Sequence, residues 1–256
     1  MSKLGKSQKF EENKSFKCLI QPKMDEVFRK DYSLKNRWKS EVFGNDNPIV
    51  IELGCGKGEY TIALAERNPN KNFIGIDIKG ARIWKGAKYV ETNGLKNVIF
   101  LRTRIDFIEW IFGEGEISEI WITFPDPQLS RFKKRLTSTL FLERYRKILI
   151  DKGLIHLKTD SQYLHTYTSE LAKQNSFEII SDSCDIYNKE ENGNFPEELL
   201  DIQTFYESFY IRMGLPITYL CFKLAGKEPL KIVEPNWDES HWKEVEEIGR
   251  EHKRIQ

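Results

Sequence analysis

From residue 49 onward, short apolar runs alternate with segments whose apolar residues recur at helical spacing. The runs cover residues 49–53, 73–76, 98–101, 117–123, 154–157 and 177–180. Between them the spacing predicts helices over 60–67, 81–91, 107–112, 137–150 and 161–174. Six strand-like runs separated by helices imply an α/β fold, a doubly wound and mostly parallel sheet with right-handed crossovers covering both faces. The pattern changes after residue 180. An acidic, turn-rich stretch over 182–201 leads to a helix near 204–213, then Gly214-Leu215-Pro216, then an apolar run over 217–224. A final strand entered through so tight a turn is expected to join the sheet antiparallel.

Composition narrows the class. With 39% hydrophobic and 31% charged residues in 256, the chain suits a folded domain with a sizeable core. No stretch approaches the ~18 apolar residues of a membrane span. The start, residues 1–17, is polar and lysine-rich with no apolar segment, so a cytoplasmic protein is expected. Cys18, Cys55, Cys184 and Cys221 form no CxxC pair, and the four histidines show no ligand spacing, so neither a disulfide framework nor a metal site is expected.

Net charge is only +1, but its distribution is uneven. Residues 1–40 hold eleven Lys and Arg against five Asp and Glu, whereas 182–207 holds eight acids against one lysine. This divides the chain into a basic extension at 1–40, able to act as a flexible arm, a main domain at 41–226, and a charged tail at 227–256 with Trp237 and Trp242 as candidate anchors.

Two local patterns carry chemistry. The first strand runs into Glu52-Leu53-Gly54-Cys55-Gly56-Lys57-Gly58-Glu59, and the next ends at Asp77. Glycines here let the backbone turn from strand to helix and approach a ligand closely. A dinucleotide fingerprint fails because Glu59 stands at the third glycine position, and a Walker A loop fails because Gly58 follows Lys57. The arrangement resembles the S-adenosylmethionine loop of class I methyltransferases. That resemblance places Glu52, Gly54 and Gly56 at the cofactor's cationic end, Asp77 on the ribose hydroxyls, and either Asp106 or the backbone at Arg104 and Ile105 near the adenine.

The second pattern is Phe124-Pro125-Asp126-Pro127, a strand end fixed by two prolines, followed by Arg131, Lys133, Lys134 and Arg135. An acid held at the carboxyl edge of a sheet beside cations suits a site that reads a nucleic-acid base. With Leu157-Lys158-Thr159-Asp160 and Thr204-Phe205-Tyr206-Glu207, this set resembles the bacterial tRNA (guanine-N7-)-methyltransferases in four motifs in order, over about residues 38–224.

The resemblance implies a class I, Rossmann-like methyltransferase fold, a seven-stranded sheet with a final antiparallel strand. It implies S-adenosylmethionine as cofactor and tRNA as partner, with the variable-loop guanine at position 46 as substrate. Asp126 becomes the active-site acid, and Asp160, Thr204 and Glu207 go to the substrate. The basic segment would grip phosphates, continued by Arg144, Arg146 and Lys147. Many relatives follow the proline turn with Trp and a lysine-rich run; here Gln128, Leu129 and Ser130 intervene, and Arg131 or Lys133 takes the lysine's place. Relatives also commonly carry an acid where Arg104 stands. A non-catalytic tRNA-binding protein is the alternative from another class, and the chain is compatible with a monomer or a homodimer.

Overall fold

A computed structural model describes residues 5–188 and 195–233. Its centre is an eight-stranded sheet in the order β1-β4-β3-β2-β5-β6-β8-β7. The strands are β1 (Leu19–Ile20), β2 (Ile49–Leu53), β3 (Asn72–Asp77), β4 (Val98–Arg102), β5 (Ile117–Thr123), β6 (Leu149–Thr159), β7 (Glu178–Ser183) and β8 (Thr218–Leu224). All pairings are parallel except those of β8, which inserts antiparallel between β6 and β7. The expected antiparallel last strand is therefore present. The sheet has eight strands rather than seven, because β1 adds a two-residue edge beside β4.

Helices cover both faces: α3 (Glu59–Arg67), α4 (Gly80–Asn93), α5 (Ile108–Ile111), α6 (Thr139–Arg146) and α7 (Gln162–Gln174) follow the strands in turn, with α1 (Lys6–Asn13) and α2 (Met24–Val27) before them and α8 (Glu197–Asp201) and α9 (Phe205–Arg212) before β8. Strand alternation sorts the core into two layers. Ile49, Ile51 and Leu53 enter one cluster, while Val50 enters the other with Tyr60 and Trp121. Glu52 shares Val50's side of the sheet, which aims a carboxylate at α3.

Residues 5–43 lie on the domain where charge alone suggested a flexible arm. Trp38 is fully buried and donates from its indole to Ile111 O (3.1 Å), α1 rests on α4, and β1 completes the sheet edge. A few apolar residues, Cys18, Leu19, Val27 and Trp38, anchor this lysine-rich segment. The expected helix over 137–150 ends earlier, since α6 stops at Arg146 and β6 begins at Leu149. Trp237 and Trp242 lie outside the described residues. Among the described residues no helix is long and apolar enough to cross a membrane, and no metal-ligating cluster occurs.

Candidate active site

β2, β5 and β6 lie side by side, and the segments at their carboxyl ends line a cleft of about 640 Å³. Its floor is the loop after β2. Gly54, Gly56 and Gly58 all have positive φ (79°, 58° and 75°), a region that side chains with a Cβ rarely adopt. A Cβ on Gly54 would meet nothing, so that glycine leaves open space on the cleft, whereas one on Gly58 would strike the Phe100 ring at 2.4 Å. The loop is pinned from behind. Gly54 N and Cys55 N both donate to Ile76 O (2.8 and 3.0 Å), and Gly56 N donates to Asp77 Oδ2 (3.0 Å).

Glu52 lines this floor although only 3% exposed. Thr123 Oγ1 donates to its Oε1 at 2.5 Å, and Thr61 Oγ1 donates to its Oε2. Burial pushes the Glu52 carboxyl above its ordinary value, against the opposing pull of the two threonines. A bound cation would offset that burial, so a glycine cradle over a desolvated acid fits the sulfonium and ammonium end of S-adenosylmethionine. Burial pushes the Cys55 thiol well above its ordinary value, which disfavours the thiolate.

Asp77 stands behind the loop rather than on the cleft wall. Its Oδ2 takes the Gly56 N–H and its Oδ1 the Lys79 N–H (2.8 Å), so its visible work is to shape the loop. Arg104 and Ile105 are not brought to the cleft either. Arg104 is exposed and pairs with Asp106 (3.2 Å), while Ile105 rests against the core.

The opposite wall begins at the end of β5. Phe124 N donates to Lys158 O (2.8 Å), and Phe124 has a φ of 47°, a strained value for a ring-bearing residue. The turn that follows carries Asp126 to the lip of the cleft, exposed, with Gln128 N donating to its Oδ1 (3.1 Å). Asp160 and Thr204 also line the cleft. Asp160 does not cap α7. Ser161 does, accepting from Leu164 N (3.1 Å), which leaves the Asp160 carboxylate to the cleft.

Glu207 is a correction. It was expected to face substrate, but it is fully buried and its Oε1 meets Lys158 Nζ at 2.6 Å. Lys158 also donates to Leu199 O (2.7 Å) and Ile202 O (3.1 Å), and Tyr187 OH donates to Glu207 Oε1 (2.7 Å). Glu207 and Thr204 close a reciprocal cap on α9, Thr204 Oγ1 accepting from Glu207 N at 3.1 Å. Glu207 thus holds Thr204 in place from behind. A lysine interrupting an apolar strand was the sequence signal for this pair.

The basic segment divides in the same way. Arg131, Lys133 and Lys134 are exposed and all three lie outside the cleft wall, whereas Arg135 is 1% exposed and faces inward. Arg144 is engaged by Asp106 (3.4 Å) and Glu109, Lys147 by Glu109, and Arg146 by Glu143 and the carbonyls of Ala225 and Glu228. Arg144 and Arg146 do not extend the strip as open cations, while Lys147 stays exposed beside Glu109. Sequence reading passed over Phe205 and Tyr206, which also line the cleft; Phe205 is 61% exposed, and the Lys57 ammonium lies 5.2 Å from its ring centre.

Comparison with known proteins finds relatives of this chain. A family model described as "Putative methyltransferase" matches residues 46–219. A tRNA (guanine-N(7)-)-methyltransferase of Christiangramia forsetii is 51% identical over 226 residues, 88% of this chain and 100% of that one. One of Porphyromonas gingivalis is 50% identical over 210 residues, covering 80% and 85%. Among solved structures, the 16S rRNA methyltransferase KamB aligns with a TM-score of 0.54 at 14% identity, covering 73% of this chain and 92% of that one. An antibiotic-related methyltransferase aligns at 0.53 and 19%, covering 75% and 95%. At such identities these two likenesses speak for the fold.

Proposed function

Because the chain belongs to the tRNA (guanine-N7-)-methyltransferase family, we propose that it methylates N7 of the guanine at position 46 in the variable loop of tRNA, with S-adenosylmethionine as methyl donor. The observation that carries the reading is one cleft that joins a glycine cradle over Glu52 to an acid, Asp126, fixed on its lip. When bound, the cofactor supplies an electrophilic methyl group whose C–S electron pair returns to sulfur as the N7–C bond forms, so positive charge passes from sulfonium to purine.

Guanine N7 carries an in-plane lone pair and no proton, so no general base is required there. The protein's part is alignment and electrostatics. Asp126 accepts from guanine N1–H and N2–H, turning N7 toward the floor of the cleft, and its charge favours the purine as it becomes cationic. Asp160 and Thr204 complete the substrate wall. Glu52 meets the cationic end of the cofactor, and Asp77 supports it by holding the loop. Arg131, Lys133 and Lys134 grip phosphates and set the register of the tRNA without reading its sequence. A tRNA substrate puts this work in the cytoplasm.

The test is direct. The protein is incubated with tRNA and methyl-labelled cofactor, and 7-methylguanine is mapped by chain cleavage. Label at position 46, absent from a tRNA carrying adenine there, is the expected result. Label elsewhere, or equal labelling of the control, overturns the assignment.

A further inference from the structure

Arg135 ends a run of cations whose sequence suggests a phosphate grip. The structure places it elsewhere. Its guanidinium lies 4.7 Å from the ring centre of Tyr163 and 4.6 Å from that of Tyr167, both on α7. Its Nε donates to Pro127 O (3.1 Å), and its Nη2 donates to Leu129 O (3.1 Å) and Tyr163 OH (2.6 Å). A side chain so held has no reach to a phosphate outside.

The two carbonyls it binds flank Gln128, which has a φ of 50°, a left-handed conformation that a residue with a Cβ keeps only when its surroundings impose it. The carbonyl of Pro127 and the N–H of Gln128 belong to one planar peptide group and point in opposite directions. Arg135 binds the oxygen of that group, and its N–H donates to Asp126 Oδ1 at 3.1 Å. Fixing one end of the plane fixes the other. A cation on the carbonyl also polarises the peptide and strengthens the N–H as a donor.

We propose that Arg135 is a positioning residue for methyl transfer, setting the Asp126 carboxylate on the cleft through the peptide group between Pro127 and Gln128. This rests on the assignment of Asp126 to the guanine.

The test uses the full chain in single-turnover methylation with labelled cofactor. Arg135→Lys keeps the charge and loses the two-pronged clamp, and Tyr163→Phe removes one support of the guanidinium. Each is made alone and together with Asp126→Asn. Arg135→Lys is expected to slow transfer about ten- to a hundredfold, the scale of a misplaced reacting group. The salt dependence of tRNA binding stays as in the wild type. In the Asp126→Asn background Arg135→Lys causes no further slowing, because the two act as one unit. An equal slowing in both backgrounds would mark Arg135 as merely structural and overturn the proposal. So would an unchanged rate, or a salt slope lowered by about 0.7–0.9, the signature of one phosphate released. If Arg135→Lys shows no cooperative melting, Tyr163→Phe decides by the same criteria, with a smaller slowing expected. Wild-type protein that transfers no label overturns the methylation reading, and the role of Arg135 with it.

Discussion

Asp126 is exposed, yet its carboxylate is held by a backbone N–H in a turn stiffened by two prolines. Such pre-set electrostatics are where catalysis without a base must come from. Asp126→Asn, close in shape and uncharged, should lower turnover by about 10²–10³ while leaving the calorimetric affinity for S-adenosylmethionine unchanged; turnover near wild type would remove Asp126 from the chemistry. His156 makes a prediction of a different kind. It stacks on Trp121 at 4.0 Å and bonds Tyr219 OH through Nδ1, and burial, with Lys71 nearby, pushes it from 6.5 down to about 3. The folded state keeps it neutral while the unfolded chain can protonate. Stability is therefore whole above pH 6.5 and is lost toward pH 3, by at most about 1.4 kcal/mol per unit. His156→Gln should lose less stability than wild type between about pH 7 and pH 5 in urea titrations, whatever its starting value; parallel pH profiles would refute this. At this scale the sequence made Asp126 and Asp160 legible, because each follows a strand at a recognisable turn. It could not single out Arg135 within Arg131 to Arg135, since the tyrosines that bury it come from α7, 28 residues on in the case of Tyr163.

Elements show the same division between local and distant causes. Helices α3, α4 and α7 were legible because their apolar residues recur at helical spacing, and a glycine stands at the N-cap of α3 and at the C-cap of α4. The close of α6 was not: Tyr145, Ile148 and Leu149 fall at the spacing of one helical face, and only the pairing of Leu149 with Ile117 across the sheet turns the segment into strand. α9 depends on a longer reach. Its cap is tied to Lys158 of β6 through Glu207, both side chains fully buried. Glu207→Gln leaves the Lys158 charge without its counterion and should cost about 3–5 kcal/mol, whereas Lys158→Met combined with Glu207→Leu should cost clearly less than the sum of the two single changes. Denaturant midpoints measure both. Additive losses would mean that the pair does not act as one, and α9 would need another anchor.

Taken whole, the molecule is nearly neutral, yet one flank beside the cleft offers Arg131, Lys133 and Lys134 to solvent. Affinity for tRNA should fall with salt, and replacing the three by alanine should flatten the logarithmic slope by about 0.7–0.9 for each phosphate no longer gripped, with little change in cofactor affinity. A slope unmoved by all three would place the RNA on another face. The pattern of apolar runs made the layered sheet legible, but not the embrace of residues 5–43, whose few buried side chains are scattered among lysines. The position of β8 also bears on how the protein is made. The strand that fills the gap between β6 and β7 is the last of the sheet to be synthesised. Until it arrives, β6 from Gly153 to Thr159 presents an unpaired edge, the kind that recruits other chains. A polypeptide released before Thr218 would not be a smaller version of the same fold. It would be an open sheet seeking a partner, so the fold is complete only when translation has reached Leu224.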